Sequence, residues 1–282
     1  MNLEKFNSLD KDTAGQELLQ CCGSAKWASL VAAGRPYATE RDLVKRAVTI
    51  WYNDCAPADW QEAFSHHPQI GDLKSVTERF AGKEQAAVGS ASADTLMQLA
   101  KLNQDYHHRF GFIFIVCATG KSAEKMLQLL QQRIQHTAAE EEAIAMGEQM
   151  KITILRLKKI MPGADWSALA VSQLTTHVLD TSIGKPGQGI CIRLTKPAEG
   201  GWQHIAFGIT NADGRIPDLL PAERILPAGN YKIIFDTGAY YRQQGIPTFY
   251  PAAEITFTIF DESHYHVPLL LNPFGYSTYR GS

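Results

Sequence analysis

The periodicity of the chain changes once, across residues 161–173, and that change limits the fold more than any motif does. Before it, apolar side chains recur at spacings of three and four. After it they come in short β-branched and aromatic runs separated by Gly, Pro, Asn and Asp. A helix repeats every 3.6 residues and a strand every two, so the two textures call for separate cores. A chain of 282 residues is long enough to hold both. The reading is a multidomain α and β protein, with an all-α domain at 1–161, a linker at 162–173 and a β-sandwich at 174–282.

In the first part, Thr39 heads "TERDLVKRAVTIWYND" as an N-cap with Asp42 in the first turn, and Leu43, Ala47 and Ile50 run beside Val44, Val48 and Trp51. "SADTLMQLAKLNQDYHHRF" and "KSAEKMLQLLQQRIQ" read the same way. The segment from Thr137 opens as a capping box with Glu140, and Met150, Ile154, Leu157 and Met161 form its stripe. "FGFIFIVCATG", 110–120, is apolar throughout, and its periodicity leaves strand, buried helix turn and extended segment open.

In the second part, "LTTHVLD", "GICIRLT", "WQHIAFGIT", "NYKIIFDT", "AEITFTIF" and "HYHVPLLL" have sandwich-like spacing, and "NADG" is a turn. His177, Arg215 and His266 stand out there. His264 and His266 share one face of their strand, and a second strand can bring His177 near them. Two imidazoles and a guanidinium suit metal-free hydrolysis of a polar ring: one His handles the proton of water while Arg holds the oxyanion. Half-exposed surface histidines and a three-histidine zinc set are the alternatives, the second without a supporting Cys or carboxylate.

In the helical part, Pro68 turns His67 away from α geometry, placing it at a helix end. With Glu84, Gln85 and Arg156 it offers an acid-base group, a carboxylate, an amide and a guanidinium for a small anionic, amide-rich ligand. Surface charge and solvated helix positions are the plainer readings. Cys117 reads as a buried thiol.

The formal net charge is −2, and no apolar run approaches the roughly 20 residues of a membrane span, so neither nucleic acid nor membrane is an expected partner. The amino terminus has no charged-then-apolar leader, the carboxyl terminus is not a peroxisomal "SKL", and five cysteines show no framework spacing. The expectation is a cytoplasmic protein with reduced thiols.

"TTHVLDTSIGKPG", "NADGRI", "FYPAAEITF" and "HYHVPLLLNPFGYSTYRGS" closely resemble 5-hydroxyisourate hydrolase, the transthyretin-related enzyme family of urate breakdown. The resemblance spans about 172–282 and implies a transthyretin-like tetramer with sites where subunits meet. Carried over, it marks His177, Arg215, His266 and Tyr279 as catalytic, with Arg280, Gly281 and Ser282 lining the site, and leaves His264 between support and surface. Asn272 stands where the family has serine.

"WQEAFSHHPQIGD", "EQAAVGSAS", "LNQDYHHRFGFIFIVCATGKS" and "EQMKITILRLKKI" resemble 2-oxo-4-hydroxy-4-carboxy-5-ureidoimidazoline (OHCU) decarboxylase, an all-helical, usually dimeric family. This resemblance implies catalytic His67 and Glu84, with substrate contacts from Pro68, Gln85, Arg156 and the main chain of Ile115, Val116, Cys117 and Ala118. Thr119 departs from a longer basic residue often found there.

Together the resemblances imply consecutive reactions, since the hydrolase product is the decarboxylase substrate and (S)-allantoin is the end. No metal or organic cofactor is implied. The partners are 5-hydroxyisourate and OHCU, and the assembly a homotetramer through the C-terminal domain with dimeric contacts between N-terminal domains. The rival class is a transthyretin-like carrier fused to a structural helical bundle, and a second rival is an enzyme with one decayed domain.

Overall fold

Thr39 accepts from the Asp42 amide and Asp42 returns a bond to the Thr39 amide, so the helix expected after Thr39 begins with a reciprocal cap. The computed structural model describes residues 1–67, 93–169 and 172–281. Expectations for Pro68, Glu84, Gln85 and Ser282 concern positions outside them. The chain divides into two units, Met1–Ala168 and Leu169–Ser282.

Among the described residues, the first unit is helical: α1 (Leu3–Ser8), α2 (Lys11–Cys22), α3 (Ala25–Ala33), α4 (Glu40–Thr49), α5 (Pro57–Ser65), α6 (Ala93–Phe110), α7 (Ala123–Arg133) and α8 (Ala138–Ile160). Past α4 the helix widens into a π-turn over Ile50–Asp54. Trp27 and Trp51 are fully buried, and their indole N–H groups donate to Ala47 O and Met146 O, so the largest apolar groups also satisfy their polar atoms. The cap at Thr137 and Glu140 starts α8 as its sequence requires.

The ambiguous run at 110–120 settles as chain that belongs to neither helix nor ladder from Ile113 to Ala118. Buried backbone needs partners, and here side chains supply them. Arg133 donates to Ile115 O at 2.7 Å, Cys117 N donates to Glu148 at 2.7 Å, and Lys121 donates to Cys117 O at 2.8 Å. Phe112 and Phe114 anchor the run against Tyr106. Arg133 itself is buried and paired with the fully buried Glu141 at 2.8 Å, while Tyr106 and His136 also bond that carboxylate.

The second unit is a two-sheet sandwich. One sheet has the order β5 (Gly201–Ile209), β4 (Cys191–Ala198), β6 (Gly229–Phe235), β7 (Ala253–Ile259). The other runs β10 (Gly275–Thr278), β9 (Leu269–Asn272), β2 (Val178–Asp180), β3 (Lys185–Pro186). A short parallel pair, β1 (Leu174–Thr175) with β8 (Tyr265–His266), adjoins them. Alternation buries Tyr231, Ile233 and Phe235 of β6, and Val178, Leu269 and Leu271 close the same core. One helix, α9 (Thr237–Gln243), was not expected between β6 and β7. Asp236 caps it, and Tyr240 and Tyr241 bury its inner face, a signal too short to show as periodicity.

The stretch between the textures is bonded at both ends. Gly163 and Trp166 bond back to Met1 O and Met161 O, while Ser172 and Gln173 accept amides of Leu220 and Leu226.

Candidate active sites

In the sandwich unit, the NADG turn does the positioning. Asn211 Oδ1 accepts the amides of Asp213 and Arg215, and Gly214 takes φ +70. A Cβ on Gly214 would strike Val178 O, so only glycine lets the turn press against the start of β2. That contact pairs His177 with Arg215 as an antiparallel bridge, and Arg215 Nη2 lies 3.2 Å from His177 Nδ1. A guanidinium only donates, so His177 Nδ1 is the acceptor and its proton sits on Nε2.

His266 lies at the end of β8 and bridges Gly281, whose amide donates to His266 O at 2.9 Å. The tail therefore runs alongside the histidine. A Cβ on Gly281 would collide with His266 Cδ2. Arg280 stacks 5.4 Å over Tyr265, which fixes the guanidinium beside the same strand. Tyr279, largely exposed, joins Arg280, Thr278, Phe257 and Phe260 around an open groove of about 410 Å³, and His266 forms part of its wall. His177 and Arg215 do not line this groove, and they reach His266 through their electrostatic effect on its ring.

Electrostatics favour the neutral form of both imidazoles. Burial lowers the pKa of His177, and Arg215 lowers it further. Burial also lowers that of His266, with Arg215, His264 and His177 adding to the shift. Thr175, which the sequence reading passed over, lies between His264 and His266. No His/Cys/Asp/Glu cluster able to hold a metal occurs among the described residues.

In the helical unit, His67 follows the end of α5 and is buried, 6% exposed. Its Nε2 lies 2.6 Å from Gln149 Oε1 on α8. Gln149 Nε2 in turn lies 3.1 Å from Cys22 O, which accepts only, so the amide nitrogen must face Cys22 and the oxygen must face His67. His67 then carries a proton on Nε2. Arg156 donates to Cys21 O at 3.2 Å, one residue from the carbonyl that orients Gln149.

Ile115, Val116 and Cys117 are buried in the 110–120 run, and Ala118 is half-buried. Glu148 holds the Cys117 amide. Burial alone would raise its carboxyl, but Lys151, Lys121 and Arg133 outweigh it and bring it down to about 2. Burial pushes the Cys117 thiol up, so it is a core thiol and not a thiolate. Gln149, Glu148 and Thr175 escaped the sequence reading because polar residues inside an apolar stripe show only as interruptions. Glu141 and Glu148, seven apart on the buried side of α8, were the available signal.

A helical unit with a buried histidine bonded to α8, followed by a sandwich with a bonded His177–Arg215 pair and a second histidine beside the tail, marks a two-domain enzyme. Residues 7–158 match the OHCU decarboxylase family and residues 174–281 the HIUase/Transthyretin family, and the chain belongs to both. It is 34% identical to the Arabidopsis thaliana uric acid degradation bifunctional protein TTL, over 93% of this chain and 96% of that protein. Mouse 5-hydroxyisourate hydrolase is 50% identical over 39% of this chain and 96% of its own length. A solved structure of (S)-allantoin synthase is 26% identical and covers the full length of both chains, with a TM-score of 0.48. The chain is a bifunctional enzyme of urate degradation, with an OHCU decarboxylase domain and a 5-hydroxyisourate hydrolase domain. The carrier reading is set aside.

Proposed function

We propose that the C-terminal domain acts first, opening the six-membered ring of 5-hydroxyisourate, and that the N-terminal domain decarboxylates the resulting OHCU to (S)-allantoin. The observation that carries the division of labour within the hydrolase is the 3.2 Å bond from Arg215 to His177 Nδ1. It occupies the only lone pair of His177, which makes that residue a donor and leaves His266 as the base. His266 takes a proton from water, the water oxygen adds to a ring carbonyl, and Arg215 holds the oxyanion. As the C–N bond breaks, the electron pair goes to nitrogen, and His177 Nε2–H stands as the donor for it. Tyr279, Arg280, Gly281 and Ser282 wall the substrate.

In the decarboxylase, His67 orients the substrate and moves the proton that fixes the configuration of the product. Glu84 and Gln85 hold the ureido group, Pro68 and the Ile115 to Ala118 main chain shape the cradle, and Arg156 supports it. Neither step changes oxidation state, and the reading requires no cofactor.

The proposed domains are 1–161 and 174–282 around a 162–173 linker. The proposed assembly is a homotetramer through the sandwiches, with dimeric contacts between helical domains. Supporting it, β7 and β10 end their sheets, and Phe260 and Tyr276 beside those edges are exposed. No helix among the described residues is long and apolar enough to cross a membrane. A cytoplasmic location is supported by the five buried free thiols.

Chiral analysis of the product from 5-hydroxyisourate tests both domains together. The protein should give (S)-allantoin, His67→Asn should accumulate OHCU that decays to the racemate, and His266→Ala should leave 5-hydroxyisourate to its uncatalysed decay. Enzyme-speed (S) product from His67→Asn would remove His67 from the reaction.

A further inference from the structure

A base works only with its lone pair facing the substrate, and in a neutral imidazole the tautomer decides which nitrogen carries it. His266 has its Nδ1 2.9 Å from Thr175 Oγ1, and the same oxygen lies 3.0 Å from His264 Nε2. One hydroxyl has one proton, so it cannot donate to both rings. The choice is made one residue further out. His264 Nδ1 lies 3.2 Å from the main-chain oxygen of Ser172, which accepts only. His264 Nδ1 must therefore carry a proton, and in the neutral form of the ring the lone pair lies at Nε2.

Thr175 donates its proton to His264 Nε2, so its oxygen is left as acceptor towards His266. His266 Nδ1 must then be the donor. The lone pair of His266 is placed on Nε2, next to the Cδ2 edge against which Gly281 packs. The parallel pairing of β1 with β8 sets this geometry by placing Thr175 opposite His266, and the strand repeat puts His264 on the same side.

We propose that Thr175 and His264 are positioning residues of the hydrolase, holding His266 in the Nδ1–H tautomer through the chain Ser172 O, His264, Thr175, His266. The proposal rests on the reading of His266 as the base. It gives Thr175 a function that packing does not, and gives His264 one although its ring is largely exposed.

The test uses the full-length protein with 15N-labelled histidine. The His266 signals should report a protonated Nδ1 and an unprotonated Nε2, and the reverse pattern would overturn the proposal. Thr175→Val keeps the shape and removes the hydroxyl. It should lower kcat for 5-hydroxyisourate about ten- to hundredfold with KM nearly unchanged, and mix the two tautomers. Thr175→Ser should restore both rate and spectrum. His264→Phe removes the acceptor for Thr175 and should give mixed tautomers with a smaller loss of kcat.

A folded Thr175→Val protein with the original kcat and the original spectrum would overturn the proposal while leaving His266 as base. If Thr175→Val does not fold, Thr175→Ser and His264→Phe decide: an unchanged spectrum and rate in His264→Phe also overturns it. Undiminished hydrolysis by His266→Ala would instead overturn the reading of His266, whatever the tautomer.

Discussion

Glu148 and Gln149 are neighbours on one helix, yet they hold two different pieces of chain. Glu148 accepts the amide of Cys117 at 2.7 Å, and Gln149 accepts from His67 at 2.6 Å. Consecutive positions on a helix point about 100° apart. One turn of α8 can therefore fix both the cradle and the histidine proposed to work against it. The spacing between those two parts is set by a rigid element, not by loops.

Replacing Gln149 with Leu should release His67 from its tautomer and leave Cys22 O without its donor, a cost of about 1–3 kcal/mol in the stability of the helical unit. Decarboxylation of supplied OHCU should fall by about tenfold or more, chiefly in kcat, while hydrolysis is unaffected. Chemical denaturation and the two separate assays read these effects. Normal decarboxylation in the folded variant would free His67 from any dependence on Gln149.

Glu148 makes the helical unit sensitive to acid. Its carboxyl is held at about 2 in the folded chain, against about 4.3 for an ordinary glutamate. A depressed carboxyl contributes stability that is full above the unfolded value and is lost as pH falls towards the folded one. Unfolding free energy of the helical unit should therefore drop between about pH 4.5 and about pH 2. Glu148→Gln should be less stable at neutral pH and show a shallower acid slope, because the attraction of Lys151 and Lys121 for the carboxylate is gone at every pH. Parallel slopes for the two proteins would assign the acid response elsewhere.

Much of the fold was legible in the sequence because it rests on local repeats. The caps at Thr39 and Thr137, the stripes beneath them and the strand runs after residue 173 each needed only a few neighbouring residues to read. His177, Arg215 and His266 could be picked out as residue types, and the turn at Asp213–Gly214 announced itself. The residues that fix tautomers could not. The bond between His67 and Gln149 spans 82 positions and that between Thr175 and His266 spans 91, and such pairs carry no period. The run at 110–120 was ambiguous for a related reason: its backbone partners are side chains of Arg133, Lys121 and Glu148, not a neighbouring strand.

Hydrolysis should fail on the acid side with an apparent pKa below the usual histidine value of about 6.5. Burial and Arg215 both lower His177 and His266, so both imidazoles stay neutral further into acid than a free histidine does. A protonated His266 cannot take a proton from water, so the rate is present above its pKa and lost below it. In Arg215→Gln, NMR titration should find both imidazoles raised towards the ordinary value. Unmoved titrations would show that the guanidinium does not reach them electrostatically.

Gly281 lies against the ring of His266, and its amide is bonded to His266 O, so the tail cannot slide away without breaking that bond. A Cβ at 281 would occupy the space of His266 Cδ2, the atom beside the nitrogen proposed as base. The backbone at 281 does not require glycine for its dihedral angles, and the requirement comes from this approach alone. Gly281→Ala must therefore push the tail outward or turn the imidazole, and either movement separates His266 from the Tyr279 and Arg280 wall. Hydrolysis should fall by about tenfold to a hundredfold with the sandwich intact, since Tyr265 and Val267 on either side of His266 hold that strand in the buried core. Decarboxylation of supplied OHCU should be unchanged. Full hydrolysis by Gly281→Ala would mean that the tail is not held against His266 in the working enzyme.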